Sequence, residues 1–252
     1  MRIRWLLAGW ALASAVRRLS QRTGVTDAEA YGTLPGDEVI AHPMVEWTRG
    51  VTVHAAPERI WPWLVQMGYG RAGWYTPAWV DRIIEPSLFQ LKTPSPKSAE
   101  RLLAEFQSLA VGDVIADGPD YRSYWRVLAV APQQAIVYHS VRHPWRPYPF
   151  DPSDPGAVGR VEEQLIAGGV YLDCTWTFVL QPVGAERTRL LIRTRGTYAP
   201  RLLGWVMPVL GLYDASYGVA QLRAIARRAQ ALATTPATAG VVPTPPPRVT
   251  EH

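Results

Sequence analysis

Between Val170 and Gln181 the even positions, Val170, Leu172, Cys174, Trp176, Phe178 and Leu180, are all apolar, while the odd ones include Asp173, Thr175, Thr177 and Gln181. Alternation sustained over this length predicts a strand with one buried face. Arg187 to Tyr198 repeats the pattern, with Leu190 and Ile192 inward and Arg187, Arg189, Arg193 and Arg195 outward. The arginine row reads as a solvated face. A turn around Val183-Gly184-Ala185 makes the two strands a hairpin. Symmetric pairing then sets Phe178 opposite Leu190, Trp176 opposite Ile192 and Asp173 opposite Arg195.

Weaker alternation predicts a strand over 45–53, where Val45, Trp47, Val51 and Val53 share a side with Arg49. A short strand after Asp113 and a hairpin of 124–130 with 135–140 follow the same logic. Helical spacing marks Ile60, Trp61, Leu64 and Val65 behind Pro57, with Pro62 costing that helix a backbone bond. Helices are also expected at 77–84 and 99–109. The long one runs from after Pro200 to Thr234 and turns Leu212, Ser216, Val219, Leu222, Ala226 and Ala229 to one side. Thr26 and Glu29 form a capping box ahead of a short helix ended by Gly32. Residues 141–169 are rich in proline and glycine and read as a long loop, the kind that often lids a cavity.

Strand, helices, antiparallel meander and terminal helix make an α+β arrangement. Three parts are expected: a leader and short helix at 1–40, one domain at 41–233, and a proline-rich disordered tail at 234–252. The net charge of +5 lies in the leader, because residues 1–22 hold five arginines and no acid. Removing those five from 26 basic residues leaves 21, against 21 acidic ones. A neutral body argues against nucleic-acid binding. The apolar run from Trp5 to Val16 is too short to span a bilayer, which needs about 20 residues. It suits contact with an anionic membrane surface, with an export signal and a helix packed on the domain as alternatives. The single cysteine excludes an internal disulfide framework and fits a cytoplasmic protein, peripheral at the inner membrane face if the leader anchors it.

The segment APERIWPWLVQMG, then GYGRAGWY, LAVGDVI, RVLAVAP and TWTFVLQPVGAERTRLLIRTR resemble, in order and wording, the START-like or SRPBCC superfamily, in particular its bacterial branch of polyketide cyclase and dehydrase-like proteins. The resemblance covers about residues 41 to 230. It implies a helix-grip fold, a curved antiparallel sheet wrapped around a long C-terminal helix, with a cavity for lipids, polyketides or other apolar molecules. It does not supply a reaction.

Four of the chain's eleven tryptophans, Trp61, Trp63, Trp74 and Trp79, fall within nineteen positions. With the cavity implied by the resemblance, Trp74, Tyr75, Trp79, Arg126, Tyr138 and Trp176 are the candidate ligand-binding residues. Gly68-Tyr69-Gly70-Arg71-Ala72-Gly73 matches a dinucleotide fingerprint in letters, but a helix precedes it and no βαβ pattern surrounds it, so the glycines read as a turn. His139 and His143 lack a third ligand, which leaves no metal site, and no cofactor is expected. Asp173, Asp113, Asp81 and Glu85 are the acids an enzyme could use, and none stands beside an obvious partner. The chain thus reads as a carrier or binder of a hydrophobic small molecule or lipid, more readily than as an enzyme. A polyketide cyclase or dehydratase and a protein-interaction module without ligand are the alternatives.

Overall fold

The computed structural model describes residues 21–76, 97–118, 121 and 123–234. Its two long strands, β6 (Tyr171–Gly184) and β7 (Arg187–Ala199), pair antiparallel with Phe178 opposite Ile192 and Trp176 opposite Thr194. The register differs by two residues from the symmetric expectation, because the turn falls at Ala185-Glu186. A shift of two keeps every side chain on its expected face, so alternation could not detect it. The charge pair is lost: Asp173 faces Thr197 across the strands, not Arg195.

Five more strands complete one sheet: β1 (Arg22–Thr23), β2 (Val45–Val53), β3 (Val114–Ala116), β4 (Tyr124–Ala131) and β5 (Ala135–Arg142). The order is β1-β2-β7-β6-β5-β4-β3, antiparallel throughout except for the β1–β2 pair. Irregularities between Val127 and Ala129 and between Pro182 and Gly184 interrupt the ladders, a device that adds twist and bend. Four helices accompany the sheet among the described residues: α1 (Asp27–Tyr31), α2 (Pro57–Val65), α3 (Ala157–Ala167) and α4 (Met207–Thr234). The curved sheet grips α4, which gives the α+β helix-grip architecture. Phe178, Leu190, Ile192, Ile60, Leu64, Leu222, Ile225 and Ala229 fill the space between sheet, α2 and the second half of α4. Dry contacts of this kind supply most of the stability of such a domain.

The expected face of α4 holds only in its second half. Leu222, Ala226 and Ala229 are buried, but Leu212 and Ser216 are exposed. Gly218 turns inward instead, and a Cβ there would meet the Arg49 side chain at 3.4 Å. A glycine at this turn leaves room for the long arginine stem beneath the helix. The first half of α4 therefore stands off the sheet.

Two expected elements differ. The 141–169 loop contains α3, which begins at Gly156 without a side-chain cap and includes Gly159, so its sequence carries no start signal. The helix expected at 99–109 is a single 3-10 turn, Ala104–Phe106. Here the amide of Gln66 takes over the backbone: its Oε1 accepts from Leu103 N–H at 2.9 Å and its Nε2 donates to the Arg101 carbonyl at 3.2 Å. The expected helix at 77–84, the leader up to residue 20 and the tail from residue 235 lie outside the described residues.

Apart from Arg187, which is exposed, the arginine row of β7 is not a solvated face. α1, capped by Thr26 and Glu29 as expected, and the loop after it fold over it. Arg193 is buried and donates to Asp37 Oδ2 at 2.7 Å and to the carbonyls of Glu29, Ala30 and Gly32. Asp37 also accepts from Leu34 N–H at 2.9 Å, and Arg195 pairs with both Asp37 and Glu46. Arg189 is bidentate to Glu29. A cation taken out of water must be met by several acceptors, and this layer supplies them.

Candidate functional site

Where the first half of α4 leaves the sheet, a cavity of about 460 Å³ opens between them. Its walls come from Val45 and Trp47 of β2, Leu172 and Cys174 of β6, Gly196 and Tyr198 of β7, and Leu203, Met207 and Leu210 before and on α4. Pro144 and Trp145 after β5 close one side. An inner recess of about 150 Å³ continues from it, lined by Trp74, Trp125, Trp176, Ser123 and Tyr217. Trp125, Arg142, Thr194, Tyr213 and Asp214 border both spaces. The larger space lies within the usual range for small-molecule sites and shares their make-up, mostly apolar with a few polar groups.

The polar groups gather at the junction. Asp214 Oδ1 accepts from the Thr194 hydroxyl at 3.3 Å, and Oδ2 stands 3.0 Å from Arg49 Nη2. Arg49, with no exposed side-chain surface, also donates to the carbonyls of Gly211 and Thr48. The Asp214 side chain keeps 20% of its surface accessible, and that part opens on the cavity. Burial pushes its carboxyl above the ordinary range, with Arg49 and Thr194 pulling the other way. Burial likewise pulls Arg49 down against the attraction of Asp214. Both partners thus report a desolvation cost that outweighs their pairing.

Arg142, on the opposite wall, is committed to its neighbours. It donates to Asp117 at 2.8 Å, the Tyr124 carbonyl at 3.0 Å and Ser140 at 3.2 Å, and stacks over Trp125 at 4.5 Å. Burial pulls its pKa down, but Asp117, with Cys174 and Tyr124, more than offsets this and the net shift is upward. It acts as a fixed positive wall. Cys174 lines the cavity and its thiol is pushed up to about 11, chiefly by burial, so it is no nucleophile at neutral pH.

Of the residues singled out from sequence, Trp74 and Trp176 line the recess, 5.4 Å apart between ring centroids. Tyr75 and Tyr138 are core. Tyr75 accepts a hydrogen bond from Gln66 Nε2 at 2.7 Å, and Tyr138 packs on Trp176 and Phe178 with its hydroxyl buried and no hydrogen-bond partner. Arg126 lies on the other face of the sheet, held by Glu162 of α3 at 2.9 Å. Trp79 lies outside the described residues, as do Asp81 and Glu85. Asp113 caps its own turn through Ala110 N–H.

Asp214 was missed. On a helix, an acid at this spacing reads as solvated; the available signal was its place in Leu212-Tyr213-Asp214-Ala215-Ser216-Tyr217, an acid between aromatics on an otherwise uncharged stretch of helix.

His139 does have acids beside it, and one of them, Asp173, also borders the cavity. Its Nε2 lies 2.9 Å from Asp173 and its Nδ1 3.6 Å from Glu162, beneath α3 on the convex side. Glu162 also accepts from the Tyr124 hydroxyl at 2.9 Å. The cluster ties α3 to the sheet. Among the described residues no group of histidine, cysteine and carboxylate side chains could hold a metal ion, and no helix is long and apolar enough to cross a membrane. Gly68, Gly70 and Gly73 all have positive φ in a turn after α2, which is what the letters of the dinucleotide fingerprint serve here.

No family model matches the chain, and no curated protein does. Solved structures do align with it. The norcoclaurine synthase from Thalictrum flavum matches at 13% identity over 82% of this chain and 96% of that one, with a TM-score of 0.36. A conserved protein from Geobacillus kaustophilus matches at 11% identity over 74% and 96%, TM-score 0.38. DynU16, from the dynemicin biosynthetic locus, matches at 12% identity over 71% and 46%, TM-score 0.34. Likenesses this distant say nothing of activity, and the fold rests on the strand order and the gripped helix themselves.

Proposed function

We propose that the protein binds a hydrophobic small molecule or lipid in the cavity between the sheet and α4, with any hydroxyl of the guest directed at Asp214. The observation that carries this reading is the cavity itself: an apolar space of about 460 Å³ whose polar groups converge at its inner end. Each guanidinium nitrogen of Arg142 already donates to a neighbour, and Asp214, 20% accessible at the cavity border, is the acidic acceptor that a guest hydroxyl would meet. An apolar body with a hydroxyl at one end matches both parts. The resemblance to START-like proteins agrees with it.

The second reading is a cyclase or dehydratase-like enzyme, and one observation favours it. A carboxyl with a raised pKa, in a largely apolar space between Tyr213 and Tyr217, is equipped to give or take a proton. Carriage needs only the space; catalysis needs Asp214.

Titration with an apolar fluorophore, and competition by fatty acids, sterols and polycyclic phenols, tests the reading. Met207→Trp, which fills the cavity, is expected to weaken binding at least about tenfold, the equivalent of losing the contacts of one apolar anchor. Wild-type protein that binds none of these probes, or a filled variant that binds as well as wild type, contradicts it.

A further inference from the structure

The cavity opens at one end of the sheet, and that end is also where apolar side chains stand in solvent. Trp205 is 83% exposed, Leu202 72%, Val209 66% and Trp145 52%. They do not scatter. Trp145, Leu203 and Val206 line both the cavity and a shallow depression outside it, which Leu202 and Trp205 complete. Exposed tryptophans grouped at an opening are uncommon on a protein meant to meet water alone.

Within the two rim segments the charge is of one sign. The two segments that build the rim, 142–150 and 200–213, contain no aspartate or glutamate, and Arg146 and Arg201 are exposed in them. β1 runs parallel to β2 with Arg22 beside Thr48, next to Trp47 of the cavity wall. Residues 1–21 of the sequence hold Arg2, Arg4, Arg17 and Arg18 and no acid. Aromatic side chains ringed by arginine suit the headgroup layer of an anionic bilayer, where tryptophan sits at the interface and arginine meets phosphate.

We infer that the rim formed by Trp145, Leu202, Trp205 and Val209 docks on an anionic lipid surface and sets the cavity mouth against it. Docking in this way would let an apolar guest pass between bilayer and cavity without crossing water. Leu202, Trp205 and Val209 are not part of the cavity wall, so docking through them can be read apart from guest binding.

The test is co-sedimentation of the full chain with phosphatidylcholine vesicles, with and without phosphatidylglycerol. Wild-type protein is expected to partition onto the anionic vesicles. Trp205→Glu with Val209→Glu is expected to lower that partition by about tenfold, and Arg201→Ser by about fivefold. Both variants should keep the wild-type unfolding midpoint and fluorophore binding, because the replaced side chains are exposed. Unchanged partition of the double variant overturns the proposal, since the leader would then suffice. Equal binding to neutral vesicles overturns it as well. So does a dimer, seen by sedimentation velocity, that Trp205→Glu dissociates and that ignores vesicles, since the rim would then belong to a second copy.

Discussion

Arg49 Nη2 lies 3.0 Å from Asp214 Oδ2, so a charge pair crosses from β2 to the helix that the sheet grips. It sits at the point where the first half of α4 stands away from the sheet and the cavity begins. The pair fixes the height of the roof. Removing only Arg49 would leave a buried carboxylate without its counter-charge, so Arg49→Met is expected to destabilise by about 3 kcal/mol. Arg49→Met with Asp214→Leu is expected to recover most of that loss. Urea unfolding of the two variants checks it; a double variant no better than the single one would show that the pair's charge is not what matters.

The same pair sets a pH dependence. Burial holds the folded pKa of Asp214 above its unfolded value, so its stabilising contribution is present at acid pH and is lost as pH rises through the folded pKa. Asp214→Asn removes that titration. The stability of the variant relative to wild type is therefore expected to rise with pH from the ordinary carboxylate range upward, then to level off. Paired unfolding curves across pH measure the difference, and a flat difference would mean that Asp214 is not perturbed.

Cys174 offers a reporter placed in the cavity wall, and it is the chain's single cysteine. With its pKa pushed up to about 11, little thiolate exists at pH 8, and alkylation by iodoacetamide is expected to run well over tenfold slower than for a free thiol with a pKa near 8.5. Saturation with a bound apolar guest should slow it further. Rapid labelling, unaffected by such a guest, would place the thiol outside the wall described here.

Asp37 meets Arg193 and Arg195 and also accepts from the Leu34 amide. Asp37→Ala leaves the buried Arg193 without its anion, so a loss of about 3 kcal/mol is expected. Limited proteolysis should then cut first in the 24–40 segment, which the arginines hold down. An unaltered unfolding midpoint would show that the carbonyls of Glu29, Ala30 and Gly32 are sufficient partners.

Much of this fold could be read from alternation. Every face of β6 and β7 follows from it, because period two survives the two-residue register shift that moved Asp173 from Arg195 to Thr197. The turn position could not be read, since Gly184, at φ 151°, belongs to the strand end and not to the turn centre. Arg193 looked solvated because its partners, Asp37 and the α1 carbonyls, are distant in sequence. Local pattern cannot see a layer folded over from elsewhere. The site was legible in part for the same reason: Trp74 and Trp176 carry apolar area wherever they sit, whereas Tyr75 and Tyr138 show that an aromatic near a cavity can as well be its supporting core. Asp214 depends on a meeting of helix and strand that no spacing records.

Native mass spectrometry of the full chain, purified without detergent from the cells that make it, tests the central claim most directly. A filled cavity of this volume predicts protein that carries a single apolar adduct of a few hundred daltons, absent from Met207→Trp. Bare wild-type protein, together with no uptake of any offered fatty acid, sterol or polycyclic phenol, would contradict it.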